Sequence, residues 1–106
     1  MAHEIWIGLQ EFQEEVHTWA LGQGFWDHDD GSHVVDSEKI ALMHSELSEA
    51  LDALRDGDMA HVEEELMDCV WRIADYMQRR GLSMSRGNNT VREKNRARAH
   101  LNSRKW

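Results

Sequence analysis

The chain has 106 residues, a formal net charge of -8, one cysteine and no proline. That length suits one domain with a modest core. A lone cysteine excludes a disulfide framework, no apolar run approaches the roughly 20 residues of a membrane span, and the lack of proline favours helices, which proline interrupts. The opening Met1-Ala2-His3-Glu4 has neither the basic start nor the apolar run of a signal peptide, so a cytoplasmic location is expected. Charge is unevenly divided: residues 1–78 carry 19 acids and 3 bases (Lys39, Arg55, Arg72), whereas residues 79–106 carry 9 bases and the single acid Glu93. An acidic body with a basic tail suggests one region for cations and another for anions.

In chain order, Ile5, Trp6, Leu9, Phe12, Val16, Trp19 and Ala20 recur at helical spacing, so a first helix is expected over residues 3–21. Gly22 and Gly24 are its stop signals. Residues 23–36, rich in aspartate with Gly31 and two histidines, read as a polar loop. Within it Phe25-Trp26 either plugs the core or walls a pocket, in which case Trp26 stacks on a nucleobase. Ser37 is expected to cap a second helix reaching Arg55, with the apolar stripe Ile40, Met43, Leu47, Ala50, Leu51 and Leu54. Asp56-Gly57-Asp58 is a short turn.

A third helix is expected from Met59 to Arg80, with the stripe Val62, Leu66, Cys69, Val70, Ile73 and Met77 and a second patch of Met67, Trp71 and Ala74. A helix apolar on more than one side is buried among several neighbours, and in a chain this short some of them belong to another subunit. Cys69 reads as a core residue. Gly81 closes the helix, Leu82 to Asn89 reads as a loop, and Thr90 to Ala99 as a fourth, basic helix. The expected fold is all-α: a bundle of four to five helices, a single domain over residues 1–106, with its core completed by oligomerisation as a homodimer or homotetramer.

Four acids carry the chemistry. Glu46 and Glu49 on the second helix, and Glu65 and Asp68 on the third, are each three positions apart and so share a helix face. Glu46 lies against Leu42, Met43 and Ala50, where an unpartnered carboxylate is costly. If the two helices pack together the four acids converge, and they repel unless protons or cations lie between them. Mg2+ suits such oxygen ligands; it clamps polyphosphate oxygens and lowers the pKa of a bound water. Arg92, Asn95 and Arg98 recur every third residue on the fourth helix, and arginine forks match phosphate oxygens. Hydrolysis of a phosphoanhydride is the simplest reaction that uses both halves.

Arg72, four residues after Asp68, is its expected ion-pair partner. His28, His33, His44 and His61 have no ligand spacing among themselves and read as surface residues or neighbours of the ligands. Acid pairs also occur on plain solvated helix faces. A di-iron carboxylate bundle usually wants two Glu-x-x-His pairs, and only Glu14 with His17 fits.

Together, Glu46-x-x-Glu49, a 15-residue gap, Glu65-x-x-Asp68 and then Arg92-x-x-Asn95-x-x-Arg98 resemble the MazG-like nucleotide pyrophosphohydrolases of the all-α NTP pyrophosphatase superfamily, over roughly residues 35–100. The resemblance implies Mg2+-dependent cleavage of a (d)NTP to (d)NMP and pyrophosphate, with Mn2+ as a substitute ion and nucleotide-pool sanitising or trimming as the role. It implies Glu46, Glu49, Glu65 and Asp68 as metal ligands. One of them, or Glu64, would help deprotonate the water, and Arg92, Asn95 and Arg98 would contact the nucleotide. The chain departs from the pattern at Ser45-Glu46, where an acidic doublet is frequent, at Arg92 in place of lysine, and at His100-Leu101 in place of His-Gly. The short form is similar to compact versions in phages and mobile elements. The alternatives are a non-catalytic helical module that binds nucleotides or a partner helix, and a pyrophosphohydrolase of the dUTP or alarmone type. No nucleic-acid or membrane partner is expected.

Overall fold

The computed structural model describes residue 4 and residues 6–102, with side chains as far as residue 99. Four helices account for most of it: α1 Leu9–Gly22, α2 Asp36–Arg55, α3 Met59–Arg79 and α4 Met84–Asn102. The fold is all-α, and among the described residues the one strand-like feature is an isolated bridge between Asp27 and His33.

Helices α2 and α3 form an antiparallel hairpin around the Asp56–Asp58 turn. Asp36, at the start of α2, accepts hydrogen bonds from the Tyr76 hydroxyl at 3.1 Å and Arg80 Nε at 2.7 Å, near the end of α3. Midway, Cys69 Sγ lies 3.6 Å from the Met43 carbonyl oxygen, which makes Cys69 the core residue its pattern suggested. Helix α1 packs across α3, with Phe12 edge-on to Trp71 at 5.9 Å. The core is made largely of small side chains, Val16, Ala20, Ala50, Ala53, Cys69 and Ala74, together with Trp26.

The elements depart from expectation in three places. Helix α1 begins at Leu9, because Gly8 is extended at the N-cap, a position glycine tolerates far better than a helix interior. Trp6 therefore lies outside the helix and exposed, and Ile5 falls outside the described residues. Helix α2 begins at Asp36, so Ser37 lies inside it and does not cap it; Glu38 Oε1 accepts the Val35 N–H at 3.4 Å instead, which is half of a capping box. Helix α4 begins at Met84, well before Thr90. Ser83 Oγ accepts the Arg86 N–H at 3.1 Å, and this cap satisfies a first-turn donor and carries Gly87-Asn88-Asn89 into helix.

The inward face of α2 also differs from the expected stripe. Lys39, Glu46, Ala50 and Ala53 are buried, while Ile40, Leu47, Leu51 and Leu54 are exposed. The alanines permit close approach to α3, and Lys39 and Glu46 both find partners inside.

Gln13 ties three helices together. It is fully buried; its Nε2 donates to Gln78 Oε1 at 2.9 Å and to the Leu82 carbonyl at 2.7 Å, and its Oε1 accepts the Met84 N–H at 2.7 Å. The chain reaches Leu82 through Gly81, whose φ of 69° lies in the left-handed region, with the Leu82 N–H bonding back to the Met77 carbonyl at 2.8 Å in a Schellman stop. Gln13→Leu strands the Leu82 carbonyl and the Met84 N–H. It is expected to lower stability in urea titration by about 2–3 kcal/mol and to reduce far-ultraviolet helix signal as α4 frays.

Candidate active site

The α2–α3 hairpin brings Glu46, Glu49 and Glu65 together. Each offers a carboxylate oxygen, and these atoms lie within 4.8 Å of one another. Glu46 and Glu65 are buried and Glu49 is exposed. Glu65 Oε1 lies 3.0 Å from His61 Nε2, one turn back on α3. Glu65 Oε2 is buried and has no hydrogen-bond partner among the described residues. A buried carboxylate oxygen without a donor is unfavourable, and a cation would supply what is missing.

The electrostatics follow from this crowding. Glu49 and Glu46 push the Glu65 carboxyl up to about 7, with burial adding to the effect and His61 opposing it. His61 is raised in turn, chiefly by its hydrogen bond to Glu65. Burial opposes ionisation of Glu46, yet its pKa is held low by Arg72, whose Nε donates to Glu46 Oε1 at 2.8 Å. Asp68 is raised by desolvation and then by the charges of Glu46 and Glu64.

Glu46 also faces a cavity of about 250 Å³. Its walls are aromatic: Trp19 stands edge-on to Phe25 at 5.2 Å and to Trp71 at 5.4 Å, and all three line the space. Val16 and Ala20 of α1 line it as well, and its polar groups are Glu46, Asp68, Arg72 and Asp75. The site thus joins a carboxylate group to an aromatic slot, with Glu46 common to both.

Several sequence expectations change here. Trp26 does not wall the cavity: it is 3 % exposed, its Nε1 donates to Asp75 Oδ1 and Oδ2 at 2.9 and 3.0 Å, and Lys39 Nζ covers its ring at 4.1 Å. With no open face, Trp26 is the core plug, and Phe25 beside it takes the wall. Arg72 pairs with Glu46 rather than Asp68, because Glu46 is the buried acid and exerts the stronger pull on a cation. Glu64 is exposed and lies outside the three-carboxylate group, and Asp68 belongs to the cavity lining rather than to that group. His17 is bound to Asp75 at 2.7 Å, which removes the Glu14–His17 pair from any metal reading.

Arg92 and Asn95 are exposed and Arg98 is half-buried. Among the described residues none of them lines the cavity, which draws only on α1, the following loop, α2 and α3. Among the described residues the basic half of the chain does not reach the acidic half. Sequence reasoning did not single out Trp19, Trp71, Lys39 or Asp75 for the site. The signal for Lys39 was its register with Met43, Glu46, Ala50 and Ala53, and for Asp75 its place two turns beyond Asp68.

Residues 37–101, well over half of the chain, match the family model for the MazG nucleotide pyrophosphohydrolase domain. The chain belongs to the MazG nucleotide pyrophosphohydrolase family. No curated protein and no solved structure matches it. The matched MazG segment carries Glu46, Glu49, Glu65 and Asp68 as well as Arg92, Asn95 and Arg98, and leaves out α1 and the Phe25 loop. Membership makes hydrolysis of a nucleotide phosphoanhydride its general activity. No described helix is long and apolar enough to cross a membrane.

The raised carboxyl gives the metal-free MazG chain a pH-dependent stability. Glu65 keeps its proton in the folded state to about 7 but releases it near the ordinary 4.5 when unfolded. The folded state therefore binds more protons between these values, and stability falls as pH rises through that window. The raised His61 acts in the same direction. In urea titrations with EDTA the midpoint is expected to be lower at about pH 8 than at about pH 5, and Glu65→Gln is expected to reduce that difference.

Proposed function

We propose that this MazG-family chain is a Mg2+-dependent nucleoside triphosphate pyrophosphohydrolase, converting (d)NTP and water to (d)NMP and pyrophosphate. The observation that carries the reading is the shared position of Glu46, in the carboxylate group on one side and the aromatic cavity on the other. The two chemical ends of a nucleotide find adjacent, complementary surroundings. Glu46, Glu49, Glu65 and Asp68 hold the metal, and the unpartnered Glu65 oxygen fits that role. When bound, Mg2+, or Mn2+ in its place, offsets phosphate charge and lowers the pKa of a water. Trp19, Phe25 and Trp71, which line the cavity, receive the base against their aromatic surface. One of the four acids Glu46, Glu49, Glu65 and Asp68, or Glu64 next to Glu65, accepts the proton of the attacking water.

Arg92, Asn95 and Arg98 contact the phosphates from a second copy of the chain, as a homodimer or homotetramer. Three observations support this. The face of α2 bearing Ile40, Leu47, Leu51 and Leu54 is exposed. The basic α4 complements the acidic body in charge. The radius of gyration is 16.5 Å, against about 13 Å for a compact chain of about 100 residues. The role is cytoplasmic sanitising or trimming of the nucleotide pool.

Incubation of the chain with each (d)NTP and Mg2+ is expected to yield (d)NMP and pyrophosphate. Release of orthophosphate, or no turnover of any nucleotide, contradicts the proposal. Asp68→Asn is expected to reduce turnover to background while the thermal midpoint stays level or rises, since it removes a repelling charge along with a ligand. Glu46→Gln is expected to reduce turnover likewise but to lower the midpoint, since it leaves Arg72 without its partner. For the shared site, mixing inactive Glu46→Gln chains with inactive Arg92→Ala/Arg98→Ala chains is expected to restore activity, because one site of the mixed dimer then holds both intact halves. Absence of restoration after subunit exchange would place the arginines in cis.

A further inference from the structure

Lys39 is buried on α2, at 4 % exposure. Its Nζ donates to the Phe25 carbonyl oxygen at 2.7 Å, and it lies 3.6 Å from Asp75 Oδ2 and 4.1 Å from the centre of the Trp26 ring. Asp75 completes the cluster by facing His17 Nδ1 at 2.7 Å and accepting the Trp26 indole N–H. Taking an ammonium and a carboxylate out of water is costly, and apolar side chains of similar volume often serve stability as well or better. The cluster therefore calls for a reason other than stability, and its contacts supply one.

Those contacts converge on the loop leaving α1. Gly24, at φ 75°, turns the chain, and the Phe25 N–H bonds back to the Ala20 carbonyl at 3.2 Å. The backbone of Phe25 is thus held on one side by α1 and on the other by the Lys39 ammonium. So pinned, the chain sends Trp26 into the core and leaves the Phe25 ring against Trp19, at an interplanar angle of 86°, lining the cavity. Half-exposed as it is, the Phe25 ring has few contacts of its own to fix it.

We infer that Lys39 is a positioning residue for nucleobase binding: by holding the Phe25 carbonyl it fixes the Phe25 ring as the outer wall of the slot formed with Trp19 and Trp71. This rests on the reading of the cavity as the base site of a nucleoside triphosphate. The polar contacts of Lys39 go to Phe25, Asp75 and Trp26 and not to Glu46, Glu49 or Glu65, so its loss weakens nucleotide binding and spares the chemical step. Loss of one aromatic stacking contact weakens base binding by roughly 5- to 150-fold.

The test uses the full chain with Mg2+ and the triphosphate that the wild type turns over best. Lys39→Met is expected to raise KM about tenfold with kcat within about twofold, and to leave Mg2+ affinity, measured by calorimetry without nucleotide, unchanged. Lys39→Arg, which keeps charge and donor, is expected to bring KM back toward the wild-type value. An unchanged KM in folded Lys39→Met overturns the inference while leaving the proposed activity standing. Parallel losses in kcat and Mg2+ affinity also overturn it, since they mark a general structural role. If Lys39→Met does not fold, Lys39→Leu, which likewise has no donor for the Phe25 carbonyl, decides on the same KM criterion, and loss of fold in both variants assigns Lys39 to the core alone. A wild type that turns over no triphosphate removes both the activity and this inference.

Discussion

Three carboxylates within 4.8 Å of one another are the constraint on which the rest of this molecule depends. Water would screen such a group on an open surface, but here Glu46 and Glu65 are buried between two helices. The hairpin manages their repulsion only in part. Arg72 neutralises Glu46, His61 engages one oxygen of Glu65, and the second oxygen is left without a partner. The carboxyl that bears the excess is the one whose proton affinity is raised furthest into the neutral range. A local arrangement that works against the stability of the apo fold is what a binding site for a cation is expected to look like.

A second buried polar cluster lies further along the same hairpin, and it solves a different problem. Around Asp75 each donor has a defined direction: Trp26 from the loop, His17 from α1, Lys39 from α2. Four segments meet at one carboxylate, so the loop that carries Phe25 is set relative to all three helices that build the cavity. The carboxylate group is under-satisfied, with one Glu65 oxygen lacking a partner among the described residues, whereas the Asp75 cluster is satisfied and holds geometry. Both sit on the faces that α2 and α3 turn toward each other and toward α1.

Much of this was legible in the sequence, for identifiable reasons. The α2–α3 hairpin was readable because the helical period runs strongly on both sides of Asp56-Gly57-Asp58, and the acid pairs followed from their three-residue spacing. The rotation of α2 was not readable: the leucines form the more obvious stripe, yet the alanine face packs inward because close approach and paired Lys39 and Glu46 outweigh bulk. The start of α4 was hidden by Gly87-Asn88-Asn89, a run of weak helix formers, and was set by the Ser83 cap. Trp26 and Phe25 could not be told apart, since adjacent loop residues point in opposite directions and only the Gly24 turn and the Asp75 cluster decide which goes inside. The partner of Arg72 was misjudged because spacing along one helix says nothing about the more buried acid across from it.

The proposed role of the Glu46, Glu49 and Glu65 group is to hold a divalent cation. The most direct measurement is calorimetric titration of Mg2+ into the metal-free chain near neutral pH, in buffers of different ionisation enthalpy, for the wild type and Glu65→Gln. The wild type is predicted to bind Mg2+ with release of protons, because the ion displaces those held at Glu65, and Glu65→Gln is predicted to lose both the binding and the proton release. Equal Mg2+ affinity in the two proteins, or no binding to the wild type, would contradict it.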